Sequence, residues 1–262
     1  MTLFQIERAA EEVLAGHDCA AAPVDVFKIA REEGIELAPG NYGEDFSGRI
    51  EYHGDVGKFV LFHPDPQRVR HPARVRFSIG HELGHYFLDH HRELLIGGAA
   101  HNSASDFICE DHLEREADEF AAALLIPGFV MKRRLAKRSF MTLSEVLRLA
   151  NDCHSSATSA AIRYAKFTRE ACVVIVSQAG RVLFWIPSEE AGAIGFRYLS
   201  SDRRVPGGSP TAMVSGEEGQ LREGTIGSGC WFPDLSREVE LWEEASPLGN
   251  TCRVLTLLAL SS

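Results

Sequence analysis

The chain has 262 residues, 45% hydrophobic and 24% charged, enough for one large domain or two to three small ones with ordinary globular cores. Its 27 Lys+Arg against 37 Asp+Glu give a net charge of −10, which disfavours a uniformly basic nucleic-acid binder. No apolar run approaches bilayer length, and MTLFQIERAAEEVLAG lacks the basic start, apolar core and cleavage site of an export signal.

The six cysteines (Cys19, Cys109, Cys153, Cys172, Cys230, Cys252) are scattered with no CxxC pair, so reduced thiols and a cytoplasmic location are expected. Charge is uneven. Residues 1–127 carry 11 basic and 23 acidic side chains, residues 128–170 carry 9 and 3, and residues 171–262 carry 7 and 11. A basic middle in an acidic chain suggests three regions, 1–127, 128–168 and 171–262.

In the first region, Phe4, Ile6, Ala9, Ala10, Val13 and Leu14 recur at helical spacing. A second helix runs from Pro23 to Gly34, with proline at its start and glycine at its end. Residues 35–37, 48–52 and 58–62 read as strands, the last two joined by a turn at residues 53–57. The segment from His63 to Pro72 holds three prolines and reads as loop, followed by a helical pattern from about Ala73 to His91. A loop over residues 97–105 leads into a further helix from about Glu110 to Ile126, stopped by Pro127-Gly128. Two or three helices follow through residue 168. From Ala171 the pattern turns to strands. Residues 172–176 and 181–186 form a hairpin, residues 205–228 form a long loop, and residues 238–242 and 253–258 are closing strands. Neither a P-loop nor a dinucleotide fingerprint is present.

The chemistry concentrates in FSIGHELGHYFLDHH, residues 77–91. His81 and His85 stand four apart, so on a helix they lie one turn above each other and can share one ion. Glu82 lies about 100° around the helix, where it can reach a water on that ion without ligating it. Val75, Ile79, Leu83 and Phe87 cluster on the opposite side as a packing face. An HExxH of this kind arises by chance roughly 0.04 times in a chain of this composition, so a third ligand decides the matter. On a helical wheel Glu114, Asp118, Ala121 and Leu125 share one face, while Arg115, Glu116 and Glu119 point elsewhere. Glu114 is thus the candidate third ligand, and Asp118 the candidate partner for the outer nitrogen of a ligand histidine. The plainer alternative is an acidic helix start, where carboxylates favour the dipole.

RFSIGHELGHYFL followed by EREADEFAAALLIP resembles the ImmA/IrrE family of zinc-dependent metallopeptidases. Arg76-Phe77, His81, Glu82, His85, Glu114, Ala117, Asp118, Phe120, Ala121, Leu124, Leu125 and Pro127 carry the likeness, with Gly80 where the family commonly has alanine. It extends over about residues 20–168. The resemblance implies a zincin-like domain with a gluzincin-type site: Zn2+, or another divalent metal, on His81, His85 and Glu114, and Glu82 as the catalytic base. Tyr86, His90, His91, His101, His112 and His154 are candidates for an oxyanion donor, each with a surface or packing role as the alternative; Glu110 and Asp111 read as capping carboxylates.

Residues 142–166 have a helix–turn–helix rhythm, and Lys132-Arg133-Arg134 with Lys137-Arg138 could meet phosphates. Yet the second helix offers mainly Arg163 and Lys166 for reading bases, so a structural helical subdomain is the preferred reading over direct DNA binding. Residues 171–262 read as a mainly β module whose aromatic residues (Phe184, Trp185, Phe196, Tyr198, Trp231, Phe232, Trp242) form a core. Some family members carry a GAF-like sensory domain there, and this segment is short for one. The expected fold class is therefore α+β. The expected function is cleavage of a regulatory protein, which the resemblance suggests is a helix–turn–helix repressor, in stress response, mobile-element or toxin–antitoxin control. The alternative is a non-catalytic, metal-stabilised regulator that binds DNA or a repressor. No membrane partner is expected, and the sequence leaves the oligomeric state open.

Overall fold

A computed structural model describes residues 1–43, 46–69, 72–98, 112–137, 140–196, 199–215, 220–235, 237–249 and 252–260. The candidate residues His101, Cys109, Glu110, Asp111, Arg138 and Tyr198 lie outside the described residues. The architecture is α+β and falls into two compact units. One comprises Met1–Val130 with Asp152–Ser156; the other comprises Met131–Asn151 with Ala157–Ser262.

The first unit opens with α1 (Leu3–Gly16), whose Thr2 and Gln5 form a reciprocal capping box and whose Ile6, Ala10 and Leu14 are buried. In α2 (Val26–Glu32) the Asp25 carboxylate accepts from the N–H groups of Phe27 and Lys28. Gly34, at φ 72°, turns the chain out of that helix as an L side chain rarely could. The strands β1 (Glu36–Gly40), β2 (Arg49–His53) and β3 (Lys58–Pro64) form a sheet ordered β1-β3-β2, parallel between β1 and β3 and antiparallel between β3 and β2. In β3, Phe59, Leu61 and His63 are buried in alternation, which turns one face of the sheet to the core. β2 is an edge strand.

Helix α3 (Pro72–Phe87) begins at proline, the residue best tolerated in a first helical turn. Every residue from Ser78 to Tyr86 is buried. Arg76 fixes the helix by donating to the carbonyls of Val24 and His154, at 2.6 and 3.1 Å. The sequence suggests one helix to His91, but the chain breaks at Leu88, which is extended at φ −81°, ψ 112°, and re-enters a helix as α4 (Asp89–Ile96). Against α3 lies α5 (His112–Leu125). Their seam is made of small residues: Gly84 faces Ala117 and Gly80 faces Ala121 so closely that added methyl groups would stand 3.1 and 3.4 Å from the facing helix. α6 (Gly128–Leu135) begins in this unit, and its residues from Met131 on, with Lys132 and Arg133 exposed, belong to the second.

The second unit contains α7 (Leu143–Asp152) up to Asn151 and α8 (Ala157–Phe167). The strands β4 (Cys172–Gln178), β5 (Arg181–Pro187), β6 (Arg222–Gly227), β7 (Glu240–Pro247) and β8 (Arg253–Leu260) form one antiparallel sheet ordered β5-β4-β8-β7-β6. The short helices α9 (Glu189–Ala193) and α10 (Ser228–Trp231) accompany it. As expected, Phe196, Trp231 and Phe232 are core residues, packed with Val173, Ile175, Leu241 and Leu258. The expected loop over residues 205–228 contains β6, because the glycine-rich run REGTIG conceals a strand that pairs along its length with β7. Two carboxylates are buried here. Glu243 accepts from Thr211 N–H, Thr211 Oγ1 and Trp231 Nε1 at 2.6–2.8 Å. Glu244 accepts from Leu143 N–H at 3.0 Å, which ties the start of α7 to the sheet. Arg163 is buried with its guanidinium over the Phe167 ring at 4.6 Å, so it is not a surface side chain free to read bases. None of the described cysteines Cys19, Cys153, Cys172, Cys230 and Cys252 forms a disulfide. Among the described residues no helix is long and apolar enough to cross a membrane.

Candidate metal centre

The seam of glycine and alanine brings the two helices close enough for their polar side chains to converge. His81 and His85 are buried on one side of α3, and Glu114 meets them from α5. The Nε2 atoms of His81 and His85 stand 3.1 Å apart. Glu114 places Oε2 at 3.2 Å from His81 Nε2 and Oε1 at 3.4 Å from His85 Nε2. Ligands at about 2.0–2.1 Å from a tetrahedral ion stand about 3.3 Å from each other, so the donor set fits zinc in both spacing and chemistry. The structure thus brings together the three residues that the sequence singles out.

Asp118 lies one turn beyond Glu114 and reaches His81 Nδ1 with Oδ1 at 2.8 Å. That bond places the imidazole proton on Nδ1 and turns the Nε2 lone pair toward Glu114 and His85. Burial alone would lower the pKa of His81. The hydrogen bonds to Asp118 and Glu114, with the charge of Glu82, outweigh it and raise the pKa to about 10. A potential that favours a proton so strongly favours a cation in the same place.

Glu82 is fully buried. Its Oε2 accepts the backbone N–H of Ile50, on edge strand β2, at 2.9 Å. Its Oε1 is buried and has no hydrogen-bond partner among the described residues. Gly48 permits this approach, since a methyl group there would stand 3.2 Å from Oε1.

His85 is held from behind by His91 and, through it, Glu116 and His90, so the oxyanion candidates His90 and His91 stand on the far side of a ligand candidate. His85 Nδ1 lies 2.9 Å from His91 Nδ1, and His91 Nε2 lies 3.1 Å from Glu116 Oε2. His90 Nε2 approaches the same oxygen at 2.6 Å, and the Met1 amino group meets Glu116 Oε1. Glu116 does leave the Glu114–Asp118 face, as the helical wheel requires, but it turns to these histidines rather than to solvent. The other oxyanion candidates stand apart. Tyr86 donates its hydroxyl to Glu33 Oε2 at 3.0 Å and packs edge-on against Phe59, His112 is exposed, and His154 is a turn residue at φ 49°.

Residues 67–164 match the family model described as Peptidase_M78, IrrE N-terminal-like domain. A solved structure described as a Mycobacterium tuberculosis transcriptional regulator is similar over 98% of this chain and 76% of its own length, with a TM-score of 0.65 and 13% identity, a likeness of fold. None of the curated proteins matches the chain. The matched segment, residues 67–164, holds both the HExxH helix and the carboxylate helix packed on it, and it supports the ImmA/IrrE resemblance read from the sequence through an IrrE N-terminal-like domain.

Proposed function

We propose that the protein is a zinc-dependent endopeptidase that cleaves a regulatory protein. The observation that carries this reading is the buried Glu82 carboxylate, with one oxygen tied and the other unpartnered, next to three donors at tetrahedral spacing. A divalent ion held by His81, His85 and Glu114 would polarise a peptide carbonyl and acidify a water. The chain's own residues supply the rest. Ile50 N–H pins Glu82 Oε2, so Oε1 takes the proton and returns it to the leaving amine. Asp118 keeps the His81 proton on Nδ1 throughout. Burial of residues 78–86 keeps bulk water out of the seam. An open cavity of about 490 Å³ lined by Tyr42, Phe46, Ser47, Arg74 and Ser78 reaches α3 one turn before Glu82 and offers an extended chain a place to lie.

The substrate class follows from the family resemblance: a helix–turn–helix repressor, in stress, mobile-element or toxin–antitoxin control. An acidic catalytic region suits a basic DNA-binding substrate. The test is incubation of the zinc-loaded protein with candidate repressors, in parallel with its Glu82→Gln variant used as a trap. Cleavage by the wild type and capture without cleavage by the variant support the reading. Equal cleavage by both would overturn it.

A second reading rests on the structural neighbour described as a transcriptional regulator, whose likeness spans both units. Here the protein is a metal-stabilised regulator without catalysis, binding DNA or a repressor through residues 128–168. Salt-dependent DNA binding by the His81→Ala protein, with no proteolysis by the wild type, would favour it.

A further inference from the structure

We infer that His90, His91 and Glu116 form a second binding position for an imidazole-favouring divalent ion such as Zn2+ or Co2+, and that filling it opposes occupation of the first. The ligand chemistry is a His-His-carboxylate set whose donor atoms all lie within 4.8 Å of one another. His91 is 1% exposed and Glu116 7% exposed, so two of the three donors are already desolvated. The His90 side chain, 41% exposed, gives the ion a way in. The rings of His90 and His91 stand edge to face at 4.3 Å, which aims both Nε2 atoms at one carboxylate oxygen. Adjacent positions on a helix do not ordinarily converge this way. Here both lie in the first turn of α4, just after the break at Leu88, and both reach Glu116 Oε2.

The antagonism follows from counting protons, and it rests on the reading of His81, His85 and Glu114 as an ion site. A neutral His85 that gives its Nε2 lone pair to an ion carries its proton on Nδ1. That proton is donated across 2.9 Å to His91 Nδ1, which must then be the acceptor. A neutral His91 accepting at Nδ1 carries its own proton on Nε2, donated to Glu116 Oε2. In this arrangement His91 has no lone pair to offer at Nε2. An ion at the second position needs that lone pair, which moves the His91 proton to Nδ1. Two N–H groups would then confront each other across 2.9 Å, unless the proton on His85 moves to Nε2 and blocks the first position. The His85–His91 hydrogen bond therefore serves one ion or the other. The second position would make the protein responsive to ion excess through the back of its own site.

The experiment is titration of the full-length, untagged protein with Co2+, followed by absorption, and with Zn2+, followed by calorimetry. The wild type should bind two ions, the second more weakly. His90→Ala removes one donor of the second position and its 2.6 Å contact with Glu116, leaves both partners of the His85–His91 hydrogen bond in place, and should bind one ion; His90→Gln should do the same. His81→Ala cripples the first position and should bind the second ion about tenfold more tightly than the wild type with its first position filled, a coupling of ordinary size. A wild type that takes only one ion per chain, or a His90→Ala protein with the wild-type two-ion curve, would overturn the second position. Equal second-ion affinity in His81→Ala and the filled wild type would overturn the antagonism. If His81→Ala instead left the tight-binding phase unchanged, the first-site reading would be what fails.

Discussion

Ile50, the second residue of edge strand β2, donates its N–H to one oxygen of Glu82 across 2.9 Å and leaves the other oxygen without a partner beside the candidate ion site. The candidate base is therefore oriented by backbone, not by a neighbouring side chain. Glu82→Gln keeps the shape and can still accept from Ile50, but has no carboxylate to take a proton. It should retain wild-type zinc content and lose about 10² to 10⁴-fold in kcat, as removal of a general base does. Metal analysis beside steady-state cleavage reads both, and a variant within threefold of wild type would refute the role.

Gly48 tests the same relationship from the strand side. A methyl group there would stand 3.2 Å from Glu82 Oε1 and 3.3 Å from its Cγ, so Gly48→Ala must shift the carboxylate or the strand. Cleavage should fall about tenfold or more with zinc still bound, since misplacement by a fraction of an ångström is costly at a reacting group. Loss of zinc along with activity would show that Gly48 matters to the site's assembly instead.

The seam between α3 and α5 gives a paired prediction. At Gly84 a methyl group would meet Ala117 Cα and its carbonyl oxygen at 3.1 and 3.2 Å, backbone atoms that cannot swing away. Gly84→Ala should cost about 1–3 kcal/mol by overpacking and weaken metal binding, because it pushes Glu114 away from the histidines. At Gly80 the nearest atom is the Ala121 methyl at 3.4 Å, an ordinary contact. Gly80→Ala should be neutral or gain up to about 1 kcal/mol from helix propensity. Thermal melts and chelator competition on the two variants distinguish them.

Asp118→Ala removes the group that holds the proton of His81 on Nδ1. Metal affinity should fall about 10 to 100-fold, the usual effect of losing a carboxylate behind a ligand histidine. Competition with a zinc chelator measures it, and unchanged affinity would show that the His81 tautomer is fixed by something else.

In the second unit, burial holds the Glu244 carboxyl above its usual pKa of 4.5 despite the Leu143 N–H it accepts. Between 4.5 and the raised value the folded state binds more protons than the unfolded one, so this group's contribution to stability is lost as pH rises through that window. Glu244→Gln retains an acceptor for Leu143 and removes the titration. The melting temperature of the variant minus that of the wild type should therefore climb from pH 4.5 upward and then level off. A difference that stays flat across the window would contradict the assignment.

Helical periodicity made the candidate ion ligands, and the carboxylate behind one of them, legible in the sequence. His81, His85, Glu114 and Asp118 each follow from a 3.6-residue wheel, and the seam residues that let the helices meet lie on those same wheels. What stayed hidden depends on backbone and on long-range contacts. The donor to Glu82 is a main-chain N–H, which carries no residue signature. Glu116 was legible as leaving the ligand face, but not its destination, because that depends on a break at Leu88. β6 was hidden by glycines that ordinarily mark a loop, and its pairing with β7 outweighs that local preference.

The break at Leu88 has a further consequence for how the motif is written. In an unbroken helix His91 would sit about 9 Å further along the axis and roughly 120° around from His85, out of reach of it. The one extended residue folds the chain back and closes the gap to 2.9 Å. The interval from His85 to His91 is then as fixed in length as the interval inside HExxH, and a single inserted or deleted residue there would separate the rings as surely as one between His81 and His85. The signature that matters in this chain is eleven letters long, from His81 to His91, and its first five are only the familiar half.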